Sequence, residues 1–318
     1  MSTRSEFWSW YSSFSERPID TLVIGANKER HPITPGLVID FFDGCDEIYD
    51  IIANLEPDVV FYPLRGAAPF KWVINEMHNI NGITPPKTID LRLGHTNSVD
   101  EAVEYGTKGR KEKIVDDDLN NNSHLLTGTY ISALIIDEVQ SGSTLSRSAS
   151  LLLEGLRKRG IACHLNIVGA KDSRVFRKST KAYKELRSNR MMTFFEVKLP
   201  VFHIDREELL DFQLLTSPIE QSVGIDKRIE MCHVLRNTES EKMFRNLALC
   251  RKYPQILLAL LDPNRINLSG LEIDASLTQR IEEWINEMKS FEMQGKRNVQ
   301  FDQIRNWLIE FAEISLLV

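Results

Sequence analysis

Residues 133–145 read ALIIDEVQSGSTL. Ala133 to Ile136 is a four-residue apolar run of the kind found in a strand buried on both faces. Asp137 and Glu138 close that run. A short loop of hydroxyls and glycine follows, Ser141-Gly142-Ser143-Thr144. A helical pattern then extends from Ser143 to Arg159, with Leu151, Leu152, Leu153 and Leu156 apolar and Gly160 at its C-terminal end. Strand, tight loop and helix in this order form a βα unit.

Working outward, the same alternation recurs. Tyr130 to Val139 is the strongest strand signal, and Ile161 to Ala170 and Thr193 to Ile204 read as later strands. Upstream, Leu22 to Gly25 reads as a first strand. Asp40 to Pro57 has helical apolar spacing at Ile48, Ile51, Ile52 and Leu55, and Pro57 stops it. Asp58 to Tyr62 reads as a buried strand, Phe70 to Asn79 as a helix and Lys87 to Leu93 as a strand. Repeated βα units imply an α/β fold with a mainly parallel sheet flanked by helices. After about residue 205 strand patterns fade, and charged helical patterns run to Phe311. At ~150 residues per domain, 318 residues suggest two domains. The expected division is an α/β domain over 1–205 and a mainly helical C-terminal extension over 206–318.

Gly94 to Gly128 breaks the alternation. It contains GTKGRKEK (Gly106–Lys113) and DDDLNNN (Asp116–Asn122). A polar stretch of ~35 residues is long for a loop within a domain, so it reads as a mobile functional loop or as disorder.

Lys plus Arg total 39 and Asp plus Glu 45, a net charge of −6, so nothing in the global charge draws the chain to nucleic acid. No stretch approaches the ~20 apolar residues of a membrane helix, and the N-terminal MSTRSEFWSWYSSF has no apolar signal core. Cys45, Cys163, Cys232 and Cys250 lie far apart with no CxxC pair, which points away from a disulfide framework. The expectation is a soluble, cytoplasmic protein.

The chemistry of 133–145 follows from its residue types. A loop at a helix N-terminus offers backbone N–H groups and a positive dipole end to a phosphate. Gly142 lets backbone approach a ligand closely, and the hydroxyls add donors. The acidic pair would repel that phosphate; it suits sugar hydroxyls one bond further along, or Mg²⁺. A phosphorylated polyol fits the whole peptide. The alternative is a plain strand–turn–helix in which Ser141 or Ser143 is only an N-cap.

This peptide resembles the 5-phosphoribosyl-1-pyrophosphate (PRPP) motif of the type I phosphoribosyltransferase family. The resemblance implies that Asp137 and Glu138 hold the ribose hydroxyls, with Mg²⁺ bound directly or indirectly, and that Ser141, Gly142, Ser143 and Thr144 hold the 5-phosphate. A second element, DVVFYPLRGAAPF (Asp58–Phe70), resembles the family's first strand and pyrophosphate loop. Leu64, Arg65, Gly66 and Ala67 would fill that loop, where turn amides and a guanidinium suit an anion. The family also carries a flap between its second and third core strands, and Gly94–Gly128 lies at that place. Tyr105, Lys108, Arg110, Lys111 and Lys113 are its candidate contacts to pyrophosphate. Closure of such a flap would exclude water.

The implied activity is transfer of ribose 5-phosphate from PRPP to a nitrogenous acceptor with release of pyrophosphate. Asp137, Glu138 and Arg65 are the catalytic candidates, acting by position and charge; His95, His124 and His164 receive no role. The acceptor-binding hood of the family is not recognisable. Other readings remain open: a catalytically silent PRPP or nucleotide sensor, or an effector or interaction module of a bacterial conflict system. Two apolar stripes, Ile281, Trp284, Ile285 and Met288, then Ile304, Trp307, Leu308 and Phe311, read as core or as an interface for a homo-oligomer.

Overall fold

Five strands run parallel in one sheet of the computed structural model: β1 (Val59–Pro63), β2 (Thr88–Leu91), β3 (Tyr130–Glu138), β4 (Ala162–Lys171) and β5 (Thr193–Lys198). Their order across the sheet is β2-β1-β3-β4-β5. The structure describes residues 22–24, 29–31, 33–63, 66–91, 93, 109–139, 141–172, 179–189, 192–202, 240–264, 266, 274–294 and 300–317. The helices nearest the sheet in sequence are α1 (Pro35–Leu55), α2 (Ala68–Ile80), α3 (Gly109–Asn121), α4 (Ser143–Lys158) and α5 (Lys181–Ser188).

Parallel strands must be covered on both faces, which is why β1 is buried at every position and β3 from Ala133 to Asp137. Phe61, Ala133, Ile135 and Ile167 point to one face. There they pack with Val115 and Leu119 of α3, Leu145, Ala149, Leu152 and Leu156 of α4, and Tyr183 and Leu186 of α5. Alternation turns Val60 and Tyr62 to the other face. Burial, then the nearby Cys45 of α1 and Asp90 of β2, push the Tyr62 phenol well above its ordinary range. On the same side Tyr49 of α1 meets the His78 ring of α2 at 4.6 Å.

The chain divides into two compact units, Asp43–His203 and Ser2–Phe42 with Ile204–Val318, and the division falls inside α1. The sequence places its break at 205 and groups the first 42 residues with the α/β part. In the structure the described residues before Asp43 fall in the second unit. Leu22–Ile24 pairs antiparallel with Glu29–His31 in a separate two-stranded sheet, so it does not open the parallel sheet. A three-residue apolar run says nothing about which sheet it joins, and a partner a few residues away closes the smaller loop.

Helical residues 240–252, α6 (Pro254–Leu261), α7 (Ala275–Met293) and α8 (Phe301–Ser315) complete the second unit. Ile281, Trp284, Ile285 and Met288 of α7 and Ile304, Leu308 and Phe311 of α8 are buried in it. Phe311 meets Phe42 at 6.2 Å, Phe41 meets Phe244 at 5.5 Å, and the Trp307 indole N–H donates to the Ile33 carbonyl at 3.0 Å. This packing buries most of both apolar stripes, while Trp307 stays half-buried.

The sequence also treats Gly94–Gly128 as one polar loop. Its second half is instead α3 followed by a 3₁₀ turn at Ser123–Leu125. Only Val115 and Leu119, spaced i and i+4, are fully buried apolar residues of α3, too few to stand out among the charges. They fit because Gly155 of α4 has no side chain: a Cβ there would lie 2.7 Å from the Leu119 Cδ1. Arg159, just past α4, ties the pair together. It donates to the Asp116 carboxylate at 2.9 Å, the Asp116 carbonyl at 2.8 Å and the Asn120 side chain at 2.7 Å. The last strand is shorter than expected, ending at Lys198 rather than Ile204. Pro200 lacks the ladder donor, and the Val201 N–H donates to the Asp172 carboxylate at 2.9 Å.

Candidate functional site

The strand order places a switch point between β1 and β3. The chain leaves β1 toward β2 on one side and returns to β3 on the other. Crevices beyond the carboxyl ends of the strands at such points are where open α/β sheets bind ligands. The two peptides singled out in the sequence, 63–70 and 137–144, begin at those two strand ends.

They meet there. A Cβ built on Gly66 would lie 2.5 Å from the Glu138 Cγ and 2.7 Å from its Cδ, so the Glu138 side chain lies directly on the loop after β1. Gly66 is needed because nothing larger leaves room for that carboxylate. Beyond it Ala67 is the N-cap of α2, with Pro69 in the first turn where its missing N–H costs nothing. Ala67 makes no side-chain cap. Leu64 and Arg65, with Gln140 in the other loop, lie outside the described residues.

Successive residues of a strand face opposite ways. Asp137 therefore points to the side of α3, α4 and α5, while Glu138 points to the side of Gly66. The acidic pair straddles the strand end instead of forming one patch. Asp137 is buried, and its Oδ1 accepts the Glu138 N–H at 2.9 Å.

The loop into α4 is shaped by its backbone. Gly142 is the N-cap of α4 at φ +76°, a left-handed conformation that favours glycine. With Gly142 in that role, neither Ser141 nor Ser143 is the N-cap that the bland reading of the sequence required. Ser143 is exposed, Ser141 and Thr144 are half-buried. The Gly142 carbonyl accepts from the Ser146 N–H at 3.1 Å and the Ser146 hydroxyl at 2.7 Å. A trans peptide holds its C=O and N–H on opposite sides, so the Ser143 N–H points out of the helix start, where an anion would sit.

Two residues that sequence reading missed complete this loop. The Ser141 carbonyl accepts from the Thr180 N–H at 3.0 Å and from the Thr180 hydroxyl at 3.3 Å. Thr180 is the N-cap of α5, its hydroxyl accepting the Tyr183 N–H at 3.3 Å. A Cβ on Gly142 would lie 2.2 Å from the Tyr183 ring. The available signal was slight: a threonine before KAYKELRS, with Tyr183 and Leu186 three residues apart. Burial, reinforced by Glu196 and opposed by Arg187, pushes the Tyr183 phenol up to about 12.

No family model matches the chain, and no curated protein does.

Of the flap candidates, Tyr105 and Lys108 lie outside the described residues, and Arg110 is described only as backbone in the first turn of α3. Lys111, half-buried on the same turn, has its ammonium held below the ordinary lysine range by burial and secondly by the guanidinium of Arg147 on α4. α3 and α4 lie side by side, Val115 and Leu119 against Gly155 and Asp116 against Arg159, so both start at the same end. Lys111 thus faces Arg147, which lies in the second turn of α4. Among the described residues no group of three or more His, Cys, Asp or Glu could hold a metal ion, and no helix is long and apolar enough to cross a membrane. Asp137 and Glu138 are oxygen donors of the hard kind Mg²⁺ takes, and Mg²⁺ commonly uses one or two carboxylates together with phosphate oxygens of its substrate.

Proposed function

We propose that the chain is a phosphoribosyltransferase of type I character that binds PRPP with Mg²⁺ and transfers ribose 5-phosphate to a nitrogenous acceptor. The observation that carries this reading is the meeting of Gly66 and Glu138. The loop after β1 and the loop after β3 meet at one switch point, with the carboxylates of Asp137 and Glu138 at the end of the strand between them. A ligand with a phosphate at one end, hydroxyls in the middle and a second anionic group beyond matches that sequence of groups. PRPP has this form.

In this assignment the backbone of Gly142 to Thr144 and the hydroxyls of Ser141, Ser143 and Thr144 receive the 5-phosphate. Asp137 and Glu138 accept from the ribose hydroxyls. The Arg65–Gly66 segment receives the pyrophosphate. Asp137 and Glu138 would hold Mg²⁺ directly or indirectly, and the ion would supply charge neutralisation for the leaving pyrophosphate. In the reaction the bond from the anomeric carbon to pyrophosphate breaks, a bond to the acceptor nitrogen forms, and the nitrogen's proton leaves. Fixed carboxylates and amides stabilise the charge that develops, with no covalent enzyme intermediate required.

Thermal denaturation with PRPP and MgCl₂ tests the binding. A ligand at ~100 times its Kd adds about 2.7 kcal/mol, a clear rise in midpoint. No rise at millimolar PRPP refutes the reading. Turnover is tested by pyrophosphate release across a panel of nitrogenous acceptors, where Asp137→Asn with Glu138→Gln abolishes activity. Binding without release for every acceptor would favour a sensor instead.

A further inference from the structure

We propose that Thr180 and Tyr183, at the start of α5, are positioning residues that hold the Ser141–Thr144 loop in its phosphate-receiving shape before any ligand arrives. The inference rests on the phosphate role given to that loop above and assigns its rigidity to a different segment of the chain.

Three contacts carry it. Thr180 grips the Ser141 carbonyl twice, through its N–H at 3.0 Å and its hydroxyl at 3.3 Å. Because a trans peptide sets C=O and N–H on opposite sides, this grip turns the Gly142 N–H away from α5. The Tyr183 ring covers the Gly142 Cα so closely that a Cβ would fall 2.2 Å from its carbons. Tyr183 itself has no freedom to withdraw: its ring meets Phe194 edge-on at 5.7 Å, Arg187 lies over both rings, and Arg187 reaches Glu196 of β5 at 3.1 Å. The loop is thus fixed at its carbonyl and at its Cα by a helix anchored on the last strand. A loop already ordered loses little entropy on binding, so its rigidity appears as affinity.

The tests use Thr180→Val, which keeps the shape and removes the hydroxyl, and Thr180→Ser, which restores it. Calorimetry with ribose 5-phosphate reads the loop, and calorimetry with pyrophosphate and Mg²⁺ reads the opposite end of the site. Thr180→Val weakens ribose 5-phosphate by about tenfold, the scale of one lost hydrogen bond with its ordering; pyrophosphate binding holds, and Thr180→Ser recovers the loss. Backbone order parameters give an independent readout on the unliganded wild type. Gly142 and Ser143 should lie near the rigid value of ~0.85, and values under ~0.6 overturn the clamp without any variant. Equal ribose 5-phosphate affinity in wild type and Thr180→Val also overturns it. A wild type that binds neither probe overturns the proposed function, and the order parameters still decide the clamp.

Discussion

Gly142→Ala tests the packing of the loop against a built-in control. Gly142 and Gly160 both have positive φ, +76° and +71°, at the two ends of α4. Alanine at either position carries the left-handed penalty of about 1–2 kcal/mol, offset by about 0.4–1 kcal/mol from the stiffer unfolded chain. The two differ in space. Nothing lies within 4 Å of a Cβ at Gly160, whereas at Gly142 the Tyr183 ring lies at 2.2 Å and must recede by more than 1 Å to reach ordinary contact. Phe194 and Arg187 block that movement. Forcing a methyl into packed surroundings costs about 1–3 kcal/mol. Gly142→Ala should therefore destabilise by about 1–3 kcal/mol more than Gly160→Ala, or roughly 2–12 °C in midpoint at 2–4 °C per kcal/mol. Urea denaturation of the two variants reads the difference directly. Combining Gly142→Ala with Tyr183→Ala should recover part of the loss, as expected for touching residues. If the two glycine variants are equally stable, Tyr183 does not press on the loop, and the argument for a clamped phosphate site fails with it.

Other outcomes follow from single contacts. Gly66→Ala should displace the Glu138 side chain, whose Cγ lies 2.5 Å from the new Cβ; PRPP affinity should fall by at least about tenfold, the scale of ~1.4 kcal/mol, while urea stability falls by no more than the 1–3 kcal/mol of local overpacking. Arg159→Lys should destabilise nearly as much as Arg159→Ala, about 1–3 kcal/mol by urea denaturation, because an ammonium cannot reproduce the fork shared between Asp116 and Asn120. Tyr183 is held protonated by burial, its pKa raised from 10.0 to about 12. The unfolded chain therefore releases this proton first as pH rises, so the stability it contributes is complete below pH 10 and is lost between pH 10 and 12 at about 1.4 kcal/mol per unit. Tyr183→Phe should flatten that part of the urea-midpoint profile. The Cys163 thiol, pushed up to about 11 mainly by burial, should react with iodoacetamide at pH 8 about a hundredfold more slowly than a free thiol of pKa near 9.

What the sequence determined by itself is local. The run Ala133–Ile136 reads as a buried strand, because a strand covered on both faces is apolar at consecutive positions and this run is short and followed at once by turn residues. Gly142 had to sit in a turn into a helix, and Gly66 in the turn after β1, because both follow apolar runs and precede helical spacing. The α7 stripe from Ile281 to Met288 was legible as one buried face for the same reason of period. Tertiary structure decided the rest. Leu22–Ile24 joined a hairpin and not the parallel sheet, since strand propensity does not name a partner. Residues 109–121 became a helix because Gly155 admits Leu119 and Arg159 binds Asp116, contacts made across the fold and invisible in a charged local sequence. Asp137 and Glu138, adjacent in the chain, were sent to opposite faces by the pleat of β3. Glu138 was brought to Gly66, and Thr180 to Ser141, only by the order in which the strands assemble. Residue types set which chemistry each loop can perform; the long-range packing of strands and helices sets which loops perform it together, because that choice is made by burial over the whole sheet and leaves no periodic trace in the chain.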